Sequence, residues 1–129
     1  MIIRFEEYTK ELTEYERDIL LPAMVRGLRS KIGKSKAITN NQAIKMLKEA
    51  GYEVSDTRWR KVIHAIRCSN LVPCLLASSA GYYVATERED AEEYLQTLDE
   101  RIRSIQEVRH SLDEQIREVF MEYIMRTNE

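Results

Sequence analysis

Thr39-Asn40-Asn41-Gln42-Ala43-Ile44-Lys45-Met46-Leu47-Lys48-Glu49-Ala50-Gly51-Tyr52-Glu53-Val54-Ser55-Asp56-Thr57-Arg58-Trp59-Arg60-Lys61-Val62-Ile63-His64-Ala65-Ile66-Arg67 is the stretch that decides the fold. Thr39 with Gln42 three residues later is a capping box, in which hydroxyl and amide satisfy backbone N–H groups at a helix start. Ala43, Ile44 and Leu47 share one face of the short helix that follows. Gly51 suits the left-handed cap that ends it. Only Tyr52-Glu53-Val54 intervenes before Ser55, the next N-cap. The second helix runs from about Asp56 to Arg67 or Cys68, with Trp59, Val62, Ile63 and Ile66 at i, i+3, i+4 and i+7. Thr57, Lys61, His64 and Cys68 point the opposite way, flanked by Arg58 and Arg60. A short helix, a tight turn and a helix with an apolar back and a basic front make a helix-turn-helix pattern, suited to a major groove.

Upstream, Thr13-Glu14-Tyr15-Glu16 is another capping box. It opens a helix with Tyr15, Ile19, Leu20, Met24 and Leu28 at helical spacing. Pro22 falls inside that pattern and predicts a kink or a short break. A basic loop, Arg29 to Lys36, follows, and Ala37-Ile38 could pair with a later strand. Downstream, Cys74-Leu75-Leu76-Ala77 and Tyr82-Tyr83-Val84-Ala85 flank the small-residue turn Ser78-Ser79-Ala80-Gly81, which reads as a β-hairpin. Cys74 is expected to pack in the first strand and Cys68 to be a partly exposed thiol.

Thr86-Glu87-Arg88-Glu89 is a third capping box, and no Gly or Pro follows it. Leu95, Ile102, Ile116 and Tyr123 share one heptad position; Ala91, Leu98, Ile105, Leu112 and Val119 share the other. Arg109 interrupts the seam. Steps of three and four over about five heptads predict a coiled coil or an antiparallel helical pair. The expected organisation is an N-terminal arm over 1–12, a domain over 13–85 and a long, dimerising helix over 86–129. Leu95, Leu98, Ile102, Ile105, Leu112 and Ile116 would form the homodimer interface.

The 129 residues carry a net charge of −2 that hides an asymmetry. Residues 1–85 hold 14 Lys/Arg against 9 Asp/Glu, and residues 86–129 hold 6 against 13. A basic half joined to an acidic half suggests a polyanion-binding module with a separate assembly segment. No stretch reaches the roughly 18 apolar residues of a membrane span, and the N-terminus has acids where a signal peptide would be apolar. The expected location is the cytoplasm. Cys68 and Cys74 lack zinc-finger spacing, no Gly-rich phosphate loop occurs, and no acid, base and nucleophile assemble. No enzyme activity, metal or cofactor is expected.

In this order the elements resemble winged helix-turn-helix domains, of the small kind encoded by bacteriophages and prophages. Ala37 to Ile44 looks like their strand and second-helix start, and Trp59 to Arg67 like their recognition helix. Leu71-Val72-Pro73-Cys74 with Ser79-Ala80-Gly81-Tyr82-Tyr83-Val84-Ala85 resembles the wing, and Thr86-Glu87-Arg88-Glu89 the exit into a trailing helix. The resemblance covers about two thirds of the chain and implies double-stranded DNA binding in transcription or replication. One departure is the wing tip, Ser78-Ser79-Ala80, where such wings usually carry Arg or Lys. The overall expectation is a mainly α fold with a small hairpin wing and a long C-terminal helix. Ser55, Thr57, Arg58, Arg60, Lys61 and His64 are the candidate DNA contacts on the second helix. Lys34 and Lys36, with Lys31, are candidates on the basic loop. The alternative is a protein–protein adaptor built on the same domain without DNA binding.

Overall fold

The structure, a computed structural model, describes residues 11–127, with side chains of the last helix as far as Met121. The arm expected over residues 1–12 lies almost wholly outside the described residues, as does the side chain of the seam residue Tyr123. A π-helical turn, Glu16–Leu20, runs into α1, Leu21–Arg29. After a 3₁₀ turn, Lys34–Lys36, come α2, Asn40–Glu49, and α3, Asp56–Arg67. Strands β1, Leu75–Ser78, and β2, Gly81–Val84, precede α4, Arg88–Thr127. The protein is thus mainly helical, with a small two-stranded antiparallel sheet and a long C-terminal helix. One compact unit ends at Ala91, and a helical unit starts at Glu92.

Thr13 and Glu16 close their capping box: the Thr13 N–H donates to Glu16 Oε1 at 2.8 Å and the Glu16 N–H to Thr13 Oγ1 at 3.1 Å. The break predicted at Pro22 takes the form of the π-turn, in which the Leu21 N–H reaches back five residues to the Glu16 carbonyl. Proline has no N–H and its ring crowds the carbonyl four residues earlier, and a wider turn relieves that crowding. The extra residue also shifts the phase of the helix. Leu20, Met24 and Leu28 are buried as expected, but Tyr15 and Ile19 are exposed, while Val25 and the carboxylate of Glu16 are buried.

The second capping box, between Thr39 and Gln42, is present at 3.0 and 3.2 Å. Gly51 has φ +93°, and the Gly51 and Tyr52 N–H groups donate to the Lys48 and Leu47 carbonyls at 3.0 and 2.8 Å. That pairing satisfies the last carbonyls of α2 and turns the chain sharply into α3. The third capping box is not formed: α4 begins at Arg88, two residues beyond Thr86, and among the described residues no hydrogen bond joins Thr86 to Glu89.

In the sheet, Leu75, Leu76, Ala77 and Ser78 face Val84, Tyr83, Tyr82 and Gly81. The far edge of β2 takes up the loop before α2. Ile38 and Tyr82 exchange N–H···O bonds of 3.0 and 2.8 Å, the Gly33 N–H donates to the Val84 carbonyl at 2.9 Å, and the Val84 N–H to the Lys31 carbonyl at 2.7 Å. The pairing expected of Ala37-Ile38 is therefore found at Ile38. Gly81 makes it possible: at φ +118°, a Cβ there would stand 2.3 Å from the Ile38 carbonyl carbon. Cys74 departs from expectation. It precedes β1, has φ +60° and is exposed, because the turn after Pro73 swings its side chain outward while its carbonyl accepts the Ala85 N–H at 3.0 Å.

The core joins Leu20, Met24, Val25 and Leu28 to Ile38, to the α3 stripe Trp59, Val62, Ile63 and Ile66, and to Val72 and Leu75. Trp59 is 1% exposed and meets the Tyr82 ring edge-on at 5.3 Å. Each such side chain contributes about 1.5–3 kcal/mol by leaving water, so α3 is anchored by its whole back. Ala43, Ile44 and Leu47 of α2 pack against this core only partly buried.

Candidate nucleic-acid interface

α3 starts where Ser55 Oγ accepts the Arg58 N–H at 3.1 Å. With the back of the helix buried, Thr57, Arg60, Lys61 and His64 come to its outer side; Arg60 and His64 are exposed, and Thr57 and Lys61 half-buried. Arg60 Nε donates to Asp56 at 2.9 Å, one turn away, and both side chains are more than half exposed. Such a pair contributes little, so Arg60 can exchange Asp56 for a phosphate. His64 Nε2 lies 3.6 Å from Cys68 Sγ, and both residues are exposed.

Arg58 is placed elsewhere. Its Nε and Nη2 donate to the two Glu16 carboxylate oxygens at 2.7 and 2.5 Å, and Nη2 also donates to the Glu11 carbonyl at 2.9 Å. The two side chains are 13% and 6% exposed. The bidentate guanidinium holds the Glu16 carboxyl below its ordinary value, against the opposing effect of burial and with help from the Thr13 N–H and hydroxyl. Arg58 therefore ties α3 to the start of the first helix, and its charge is neutralised on the spot. It is not part of the basic front on which the sequence places it.

Lys34 and Lys36 lie on the 3₁₀ turn, which packs on β2, and both are exposed. Lys31, Lys36 and Lys45 line one shallow depression with Gln42 and Glu49. Lys45 is a basic residue that sequence reasoning left unassigned; its opposition to Ala43 and Leu47 on α2 was the available signal. Arg67 was also missed: its guanidinium carbon stands 5.9 Å from the Tyr82 ring centroid. At the hairpin tip, Ser78 Oγ donates to the Gly81 carbonyl and accepts the Ala80 N–H, both at 3.1 Å, which leaves Ser79 and Ala80 exposed and uncharged.

α4 has 40 residues, about 60 Å of helix at 1.5 Å per residue. Leu95, Ile102, Ile105, Leu112, Ile116 and Val119 are each 46–68% exposed, and Leu98 is half-buried. Among the described residues no helix is long and apolar enough to cross a membrane, and no three His, Cys, Asp or Glu side chains are placed to hold a metal ion. No protein-family model, curated protein or solved structure matches the chain.

Proposed function

We propose that residues 13–85 form a winged helix-turn-helix and that the protein binds double-stranded DNA as a homodimer joined through α4. The observation that carries this reading is α3, clamped by four buried side chains and presenting Thr57, Arg60, Lys61 and His64 outward. Lys61 and Arg60 would neutralise phosphates, Thr57 and His64 would contact base edges or phosphates, and the helix start capped by Ser55 would offer its remaining N–H groups to a phosphate. Lys34 and Lys36 would follow the backbone from the loop. Arg58 is withdrawn from this set because Glu16 holds it. The exposed heptad stripe supports self-pairing, since a helix of this length leaves its apolar seam in water unless a partner covers it. A symmetric dimer would read two half-sites, in transcription or in replication.

The uncharged wing tip favours a second reading, an adaptor that docks on protein rather than DNA. Fluorescence anisotropy on an arbitrary duplex at low and physiological salt separates the two. DNA binding predicts a Kd of about 10⁻⁴–10⁻⁶ M that weakens steeply with salt. Lys61→Ala should lower the salt slope by about one per protomer with the circular dichroism unchanged. Absence of binding at low salt would overturn the DNA reading and turn the search to a protein partner.

A further inference from the structure

A cavity of about 290 Å³ opens between α1, α2 and the buried face of α3. Its walls are Met24, Leu28, Ile38, Leu47, Tyr52 and Trp59, and its width comes from Ala23, Gly27, Ala43 and Ala50, which put little side chain into the helix crossing. A Cβ at Gly27 would meet nothing within 4 Å. The size is at the lower end for small-molecule sites, and the lining is apolar as in such sites.

The charge at its mouth specifies the occupant. Among the described residues, the only charged ones that line it are Arg26 and Lys31, both cations. Arg26 is exposed and Lys31 half-buried, so their charges stand where the apolar wall meets solvent, and neither forms an ion pair among the described residues. We propose that this cavity is a binding site for a small amphiphilic carboxylate, with an alkyl or aryl body against Leu28, Leu47 and Trp59 and a carboxylate on Arg26 and Lys31. An anionic head at paired cations and an apolar body in an apolar slot match term for term. The site is separate from the outer side of α3 and does not depend on DNA binding.

Trp59 is the single tryptophan of the chain, so its fluorescence reports on this cavity and the core around it, and the filled-cavity variants below separate the two. The full-length protein is titrated with octanoate, 1-octanol and octylamine. Octanoate should give a saturable change in emission, octanol should bind about tenfold more weakly or worse, and octylamine should not bind. Arg26→Ala with Lys31→Ala should weaken octanoate about tenfold or more and leave octanol unchanged. Gly27→Leu should abolish octanoate binding while keeping or raising the melting temperature, since the added side chain enters open space and a helical glycine is removed. Ala23→Leu repeats the test from the same wall. No saturable signal, equal affinity for octanol, or octanoate binding that survives the filled cavity would each overturn the proposal.

Discussion

Glu16→Ala tests the account of how α3 is held. The carboxylate is 6% exposed, its partner Arg58 13%, and the contact is bidentate. Such a pair is not a surface ion pair, for which about 0–1 kcal/mol would be expected. Removing one member leaves a charge buried without its partner, which costs about 3–5 kcal/mol. For a unit of this size each kcal/mol lowers the melting temperature by about 4–8 °C, so the fall should be at least about 12 °C. Urea and thermal unfolding followed by circular dichroism measure it, and Arg58→Met should show a loss of similar size. The double variant Glu16→Met with Arg58→Met should recover most of the stability, because a buried ion pair replaced whole by apolar groups is often neutral. The sign with pH follows from the lowered Glu16 value. A carboxyl depressed on folding adds stability above its unfolded value, about 4.3, and that stability is lost as pH falls below this toward the folded value. The wild type should lose stability across that acid window more steeply than Glu16→Gln. A fall under about 4 °C for Glu16→Ala, the size expected of a surface pair, would refute the reasoning.

Gly81→Ala should destabilise by about 3 kcal/mol, read from urea midpoints, because the methyl meets the Ile38 and Thr39 backbone and the residue sits at φ +118°. Thr39→Ala removes the hydroxyl that accepts the Gln42 N–H and should cost about 1 kcal/mol, measured the same way. Ile102→Glu with Ile105→Glu places charges in the exposed seam of α4; if α4 pairs as proposed, sedimentation velocity should show the wild type as a dimer and this variant as a monomer, with the thermal transition of the compact unit kept.

Local signals were legible in the sequence and long-range ones were not. The α3 stripe, the Thr13 and Thr39 capping boxes and the Gly51 cap each rest on neighbours within a few residues, and the structure has them as read. The hairpin was also legible, with its strands displaced by one residue at the turn. The role of Arg58 was not, because its partner is 42 positions away and was already accounted for as the end of a capping box. On a helical wheel Arg58 flanks the basic front; only packing of the first helix shows that it turns back. Cys74 was misplaced for a different reason. A strand-like run includes it, and nothing in the run announces the left-handed backbone after Pro73. The third capping box matched in composition but not in place, since Thr86 and Glu87 lie before the first turn of α4.

The π-turn Glu16–Leu20 also gives the first helix one residue to spare. In a regular helix, losing one exposed residue rotates everything before it by about 100°. Here the wide turn holds one residue more than an α-turn requires, and that surplus is what brings Glu16 inward toward Arg58 while Leu20 stays in the core. Deleting Asp18, an exposed residue in the middle of the turn, would let the segment close as ordinary α-helix. The Leu21 N–H would then meet the Glu16 carbonyl as an ordinary i→i+4 pair, so Leu20 onward, Glu16 and the Thr13 cap would all keep nearly the same faces. A one-residue deletion within this turn would thus leave the Glu16–Arg58 pair in place, whereas the same deletion in the regular turns of α1 would put the pair out of phase with the core.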